Sequence, residues 1–195
     1  MILNLSAYDN PHSCVVTVGS FDGLHRGHRA VLDALYGKAS EEGLPSLVLT
    51  FVEPPENYLG GRKELILPSL KKLKMLEQTG ADFVVVCNFM GMAKMSPGDF
   101  FEEILLKRLK AAAVVVGENF RFGAQRAGDV RMLKRMAARH GMDVTVVQMV
   151  KAGGEEVSST SIRELVAEGR MEQAEELLKP PQPRLEAINK KETKK

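Results

Sequence analysis

The chain has 195 residues, of which 44% are hydrophobic and 27% are charged, and its formal net charge is +2. This length and composition suit one globular domain with a sizeable core, and they argue against a disordered chain. A net charge this small argues against strong attraction to nucleic acid or to a membrane surface, so we expect neither as a partner. Small anionic ligands remain open, because they respond to local charge.

The beginning of the chain, MILNLSAYDNPHS, lacks the basic start and the apolar stretch of a signal peptide. No apolar run approaches the roughly 20 residues that span a bilayer. Cys14 and Cys87 each sit within an apolar run, which indicates buried free thiols in a reducing compartment and not a disulfide framework. We therefore expect a soluble, cytoplasmic protein.

Five short runs rich in valine and leucine do not alternate with polar residues, which is typical of strands buried on both faces of a parallel sheet. They are Cys14–Val18, Leu47–Phe51, Phe83–Cys87, Ala113–Val116 and Val144–Val147. Segments with helical spacing of apolar residues lie between or after them. These segments are His28–Lys38, Leu70–Gln78, Phe100–Leu109, Val130–Arg139, Ser161–Ala167 and Met171–Leu178. The alternation predicts an α/β fold, a Rossmann-like doubly wound parallel sheet of five strands with helices on both faces.

The stretch Gly19–His28, GSFDGLHRGH, leaves the first strand and leads into the first helix. In open α/β sheets, ligands bind beyond the carboxyl ends of the strands. Glycines there let the backbone approach a phosphate, and a helix N-terminus attracts an anion. His25 and His28 are three residues apart, so both can face one pocket and stabilise charge on a phosphate. The stretch therefore predicts a phosphate-binding turn.

Two other interpretations of this turn stay open. A histidine at a helix start is often a cap or a solvated residue. Asp22, His25 and His28 could instead hold a metal ion such as zinc, but their spacing offers no clear further ligand, and we assign no metal ligands.

A second stretch, Val157–Arg163, reads VSSTSIR and opens another helix after the fifth strand. Its hydroxyl groups are good helix caps by themselves. Arg163, one turn into the helix, adds a fork of donors suited to phosphate oxygens. Two helix N-termini at the same edge of one sheet could hold a triphosphate from both sides.

GSFDGLHRGH together with VSSTSIR resembles the HxGH nucleotidyltransferase superfamily. Three further stretches narrow the resemblance to the FMN adenylyltransferase (FAD synthetase) module of bacterial bifunctional riboflavin kinase/FAD synthetases. They are GENFRFG at Gly117–Gly123, RAGD at Arg126–Asp129 and SPGDFFEEIL at Ser96–Leu105. The similarity extends from about Val15 to Leu178.

The resemblance implies an enzyme that transfers AMP from ATP to FMN, with Mg²⁺, and releases FAD and pyrophosphate. The FMN phosphate is already an anion, so catalysis would be positioning and charge stabilisation. We expect a nucleotidyltransferase domain over residues 1–178 and a flexible tail over residues 179–195. No stretch resembles the riboflavin kinase module, so a separate riboflavin kinase would supply FMN.

The same resemblance assigns roles to individual residues. The catalytic set is His25, His28, Asn119 and Arg163, with His28 at the bridge between the α- and β-phosphates. The ATP-binding set is Gly19, Phe21, Asp22, Gly27, His28, Ser158, Ser159, Thr160 and Arg163. The flavin-binding set is Asn119, Phe120, Arg121 and Phe122.

One stretch departs from the family pattern. After the second strand the family usually reads TFDPHP, and Thr50–Pro55 here reads TFVEPP. Val52 and Pro54 therefore replace an aspartate and a histidine near the flavin nucleotide, and Glu53 adds negative charge. This departure leaves open a different phosphomonoester acceptor, or a paralogue that binds ATP or a flavin nucleotide without turnover.

Overall fold

The computed structural model describes residues 1–8, 12–53, 55–58 and 64–179. Its centre is a six-stranded parallel sheet in the order β1-β4-β3-β2-β5-β8. These strands are β1 (Ile2–Asn4), β2 (Cys14–Val18), β3 (Ser46–Phe51), β4 (Phe83–Cys87), β5 (Ala111–Gly117) and β8 (Asp143–Val147). All five predicted strands are present, and the doubly wound α/β fold is confirmed.

The sixth strand, β1, lies at one edge of the sheet, where Ile2 pairs with Val84. It has only three residues, and they are half-buried or exposed. A strand this short and this exposed carries no continuous apolar run, which is why the sequence pattern predicts five strands and not six.

Seven α-helices appear among the described residues. They are α1 (Arg26–Glu42), α2 (Pro55–Tyr58), α3 (Ser69–Gln78), α4 (Pro97–Asp99), α5 (Val130–Ala138), α6 (Ser159–Ala167) and α7 (Met171–Leu178). α4 begins with a capping box between Ser96 and Asp99 and continues directly into a π-helical segment, Phe100–Arg108. None of the described helices is long and apolar enough to cross a membrane.

Short elements complete the loops at the carboxyl edge of the sheet. β6 (Arg121–Phe122) pairs antiparallel with β7 (Gly128–Asp129), and β9 (Lys151–Ala152) pairs with β10 (Glu155–Glu156). A single turn of 3-10 helix lies at Phe89–Gly91, and Ala124–Arg126 forms a turn with left-handed backbone at Gln125 and Arg126.

Each face of the sheet carries its own apolar layer. Side chains alternate across the sheet, so Val16 of β2 packs with the π-helical segment and α5, while Val15 packs with α1 and α3. Cys14 and Cys87 are both buried, as predicted, and neither is in a disulfide. Residues 180–195, nearly all of the expected tail, lie outside the described residues.

Candidate active site

The order in which the chain adds strands reverses between β2 and β5: β3 and β4 lie on one side of β2, and β5 and β8 lie on the other. Such a switch point opens a crevice beyond the carboxyl ends of the strands. A cavity of about 360 Å³ lies there, lined by Gly19 after β2 and by Gly117 at the end of β5. The predicted phosphate turn and the loop after β5 thus share one cavity.

The phosphate turn contains left-handed backbone conformations that tertiary packing must stabilise. Phe21 and Leu24 have φ values of 50° and 45°, and Gly23 has a φ of 86°. Such left-handed conformations in residues other than glycine cost on the order of 1–3 kcal/mol each. Both side chains are almost completely buried, and this burial offsets the strain. The turn is therefore pre-formed for a ligand.

His25 and His28 lie against each other at the start of α1. Their rings are stacked with centroids 3.7 Å apart, and the ring of Phe21 packs 5.2 Å from that of His28. Nδ1 of His25 accepts a hydrogen bond from the backbone N–H of His28 at 3.3 Å, so His25 caps the helix. Because Nδ1 is the acceptor, the neutral ring carries its proton on Nε2. His25 thus fits the capping interpretation and also lines the cavity.

Both imidazoles are neutral at neutral pH in this environment. Burial, reinforced by the charge of Arg163, lowers the pKa of His25 from 6.5 to about 4. Burial, followed by the charges of His25 and Lys72, lowers the pKa of His28 well below its ordinary value. Nδ1 of His28 is buried and has no hydrogen-bond partner among the described residues. An unpaired buried nitrogen is costly, so a ligand atom is its natural partner.

The second predicted stretch reaches the same cavity. Ser158 caps α6 through the N–H of Ser161 at 3.1 Å, and Ser159 Oγ donates to the carbonyl of Asp22 at 3.0 Å. A Cβ added to Gly27 would lie only 3.0 Å from the carbonyl oxygen of Val157. The lack of a side chain at Gly27 therefore lets the two helix N-termini approach each other.

Three predicted site residues do not line the cavity. Thr160 is exposed beside it. Asp22 is 1% exposed and forms an ion pair with Arg163, whose other donors reach backbone carbonyls of Glu64 and Ser159. Three hydrogen bonds from the guanidinium that the sequence suggests for phosphate are therefore made within the protein.

The predicted flavin side forms the opposite wall of the cavity, to which Asn119, Phe120, Arg121 and Phe122 all contribute. The rings of Phe120 and Phe122 are stacked with centroids 5.6 Å apart and an interplanar angle of 14°. Phe100 packs 5.6 Å from Phe122 and continues this aromatic surface. These three rings give this part of the cavity an aromatic lining that is suited to an aromatic ring system.

Sequence reasoning did not assign Gln125 and Arg126 to the site, yet both line the cavity. They are consecutive residues with φ values of 55° and 58°. Arg126 belongs to the RAGD stretch, and this was the one feature of the sequence that could have assigned it to the site. Its left-handed backbone could not be predicted from residue types. Phe51 and Phe89 also line the cavity and look like ordinary core residues in the sequence.

The described lining of this cavity contains Arg121 and Arg126 but no aspartate or glutamate. A lining of this kind favours an anionic ligand. Among the described residues, no group of three His, Cys, Asp or Glu side chains could hold a metal ion, so Asp22, His25 and His28 do not form one.

A doubly wound parallel sheet with two helix N-termini at its switch point is the arrangement of a nucleotide-binding α/β protein. The family model for FAD synthetase matches residues 7–161, and the chain belongs to this family. The chain is 36% identical over 168 residues to the bifunctional riboflavin kinase/FMN adenylyltransferase of Escherichia coli strain K12, covering 85% of this chain and 54% of that protein. The chain thus spans about half the length of the first curated relatives that it matches.

Other relatives differ in length and in likeness. A putative bifunctional riboflavin kinase/FMN adenylyltransferase of Geobacillus thermodenitrificans is 36% identical over 84% of this chain and 88% of its own length. The crystal structure of a macrolide-efflux protein from Streptococcus pneumoniae superposes with a TM-score of 0.80 and 25% identity, over 91% of this chain and 59% of that one. Pantoate-beta-alanine ligase from Francisella tularensis superposes with a TM-score of 0.55 and 17% identity, over 98% and 84% of the two chains, and shows the fold alone.

Proposed function

We propose that this protein is an FMN adenylyltransferase that transfers AMP from ATP to FMN and releases FAD and pyrophosphate. The observation that carries the proposal is the single cavity at the switch point. One wall is the phosphate turn with the N-termini of α1 and α6, and the other is the aromatic surface of Phe120 and Phe122. A nucleoside triphosphate and a flat aromatic nucleotide would meet between these walls, and family membership supports this pair of substrates.

In the proposed reaction an oxygen of the FMN phosphate attacks the α-phosphorus of ATP. A new P–O bond forms, the bond from the α-phosphorus to the α,β-bridging oxygen breaks, and pyrophosphate leaves with that electron pair. The attacking oxygen carries no proton to remove, so the protein needs no general base. Its contribution is the alignment of two anions and the stabilisation of charge on the leaving oxygen.

His28 is the residue proposed to meet that leaving oxygen. Its unpartnered Nδ1 and its position in the cavity wall support this role. A polyphosphate would replace water around the ring with negative charge, which raises the pKa of an imidazole and favours donation of a hydrogen bond. His25 would hold the adjacent phosphate oxygens through Nε2–H, because its Nδ1 is already engaged in the helix cap.

The acceptor is proposed to bind along the opposite wall. Phe120 and Phe122 would pack against the flavin ring, Asn119 would contact the junction of the two substrates, and Arg121 would contribute charge. Mg²⁺ enters this proposal as part of the substrate, coordinated by phosphate oxygens and water. FMN is proposed to come from a riboflavin kinase, the other activity named for the relatives.

A second candidate keeps the nucleotidyl transfer and changes the acceptor. Val52, which stands where the family usually has an aspartate, is 41% exposed and follows the cavity-lining Phe51. Without that carboxylate and the neighbouring histidine, the acceptor half has lost two polar groups that the family pattern supplies. Pro54, the other departure, lies outside the described residues.

Pyrophosphate release from ATP and Mg²⁺ tests both candidates. The purified protein would be assayed with FMN, with riboflavin and with other phosphomonoesters, including nicotinamide mononucleotide and phosphopantetheine, and the products would be identified by mass spectrometry. We expect FAD from FMN and no product from riboflavin, which lacks the attacking phosphate. Efficient transfer to another acceptor would favour the second candidate. Nucleotide binding without pyrophosphate release from any acceptor would indicate a non-catalytic paralogue.

A further inference from the structure

Lys72 is a fully buried lysine that the proposed mechanism does not use. It lies on α3 with 0% of its surface exposed, and its Nζ donates to the carbonyl oxygen of Phe51 at 2.6 Å. Phe51 is the last residue of β3, the neighbour of β2, and its side chain lines the cavity. The ammonium group is therefore one hydrogen bond away from the backbone of a cavity-lining residue, and Lys72 itself does not line the cavity.

The same strand end is tied to the phosphate turn. Thr50 Oγ1 donates to the carbonyl of Ser20 at 3.2 Å, and Ser20 lines the cavity. The charge of Lys72 contributes to the lowered pKa of the His28 imidazole. The interaction is a through-space one, because no hydrogen bond between the two side chains is observed.

Within the part of the chain that the structure describes, Lys72 forms no ion pair of its own. The charge of Asp22 favours the protonated form of Lys72, but this carboxylate already pairs with Arg163 at 2.6 Å. Burial raises the pKa of the neighbouring Cys87 thiol to about 12, so the sulfur is neutral and provides no counterion. The described cavity lining contributes no aspartate or glutamate.

A buried cation that forms no ion pair of its own with the described residues is unfavourable, and burial accordingly lowers the pKa of Lys72. An anion in the cavity would supply the missing charge. At the effective dielectric constant of protein interiors, a unit charge acts appreciably on another across several ångströms.

We propose that Lys72 is an electrostatic positioning residue for the triphosphate of ATP, attracting it through the cavity wall without touching it. The proposal rests on the proposed nucleotidyl transfer and adds to it a residue outside the cavity lining. It also explains why α3 presents a lysine at a position where its helical neighbour in the core is the apolar Leu76.

Lys72→Met tests this role, because methionine is unbranched and apolar and can fill the same space. Exposed Lys71, the preceding residue of the same helix, offers a matched control in Lys71→Met. Dissociation constants for adenosine, AMP, ADP and ATP would be measured by calorimetry for both variants and the parent. A through-space charge effect must grow with the charge of the ligand.

We expect Lys72→Met to weaken ATP on the order of tenfold, to weaken AMP less and to leave adenosine within about twofold. Lys71→Met should leave all four ligands near their parent values, and Lys72→Arg should retain ATP affinity. An equal loss for adenosine and ATP, or no loss for ATP, overturns the proposal. An equal effect of Lys71→Met also overturns it, because the cause is then net charge alone.

Lys72→Gln serves as a second neutral variant. If neither neutral variant folds, as judged by circular dichroism, Lys72 is a folding requirement and the proposal is overturned. If the parent binds ATP but the ligand series shows no charge dependence in the variants, only the role of Lys72 fails. If the parent binds none of the four ligands, the proposed function fails with it.

Discussion

The guanidinium of Arg163 donates from Nη2 to the carboxylate of Asp22 over 2.6 Å, and this ion pair joins the phosphate turn to α6. The carboxylate also accepts the backbone N–H groups of Ile66 and Leu67 at 3.1 and 3.2 Å. The guanidinium donates to the carbonyls of Glu64 and Ser159 at 2.8 and 3.1 Å. One pair of side chains therefore braces both helix N-termini of the cavity and the segment that leads into α3.

Arg163→Lys keeps the charge and removes the planar fork that reaches three acceptors. We expect the free energy of unfolding to fall by about 1–3 kcal/mol and ATP binding to weaken, because the brace is incomplete. Urea denaturation and ATP titration measure the two effects. Arg170→Lys is the control, since its exposed pair with Glu168 should contribute less than about 1 kcal/mol. Weaker ATP binding with unchanged stability would instead make Arg163 a direct phosphate ligand.

His28→Ala should lower kcat by a factor on the order of 10², with a smaller change in the KM for ATP. The reason is that charge on the leaving oxygen grows in the transition state, so a donor aimed there acts mainly on rate. His140→Gln is the control, because His140 lies outside the cavity lining and pairs with Glu102. Near-parental turnover in His28→Ala would remove His28 from the reaction.

His25 should make the protein less stable in mild acid. Its folded pKa of about 4 lies below its ordinary value of 6.5, so between these values the unfolded chain binds more protons. Stability is fully present above pH 6.5 and is lost as the pH falls toward 4. His25→Asn keeps a side-chain cap but does not titrate.

Urea denaturation near pH 7.5 and near pH 5 measures this effect. Between these conditions the parent should lose about 2 kcal/mol more unfolding free energy than His25→Asn. Equal losses in the two proteins would show that His25 is not held neutral by burial.

Phe120→Leu tests the acceptor wall. Phe120 is only partly buried, so the substitution should leave the fold intact while removing an aromatic surface from the cavity. We expect FMN to bind roughly three- to tenfold more weakly and ATP to bind as before. Flavin fluorescence quenching and ATP calorimetry measure the two affinities. Weakening of ATP alone would place the adenine, and not the flavin, against this wall.

The parallel sheet could be predicted because its central strands are buried on both faces and need continuous apolar runs, such as Cys14–Val18. β1 was not predicted, because an edge strand of three residues needs no continuous apolar run. α1 starts at Arg26 and not at the predicted His28, because the side chain of His25 caps the helix. Histidine is an unusual cap, so the residue types did not indicate this start. The π-helical hydrogen bonds of Phe100–Arg108 were also not predicted, because apolar spacing over nine residues does not distinguish them from α-helical ones.

The sequence by itself determined which two stretches meet at one edge of the sheet, because parallel strands separated by helices must bring their carboxyl ends together. It also determined that the turn after β2 could approach an anion, through its glycines and the start of α1. Only the tertiary structure decided that Arg163 holds Asp22, that both histidines are neutral, and that Lys72 is buried beside a cavity-lining residue. These features depend on contacts between residues as far apart as 141 positions and on exclusion of water, and neither property belongs to a local stretch of chain.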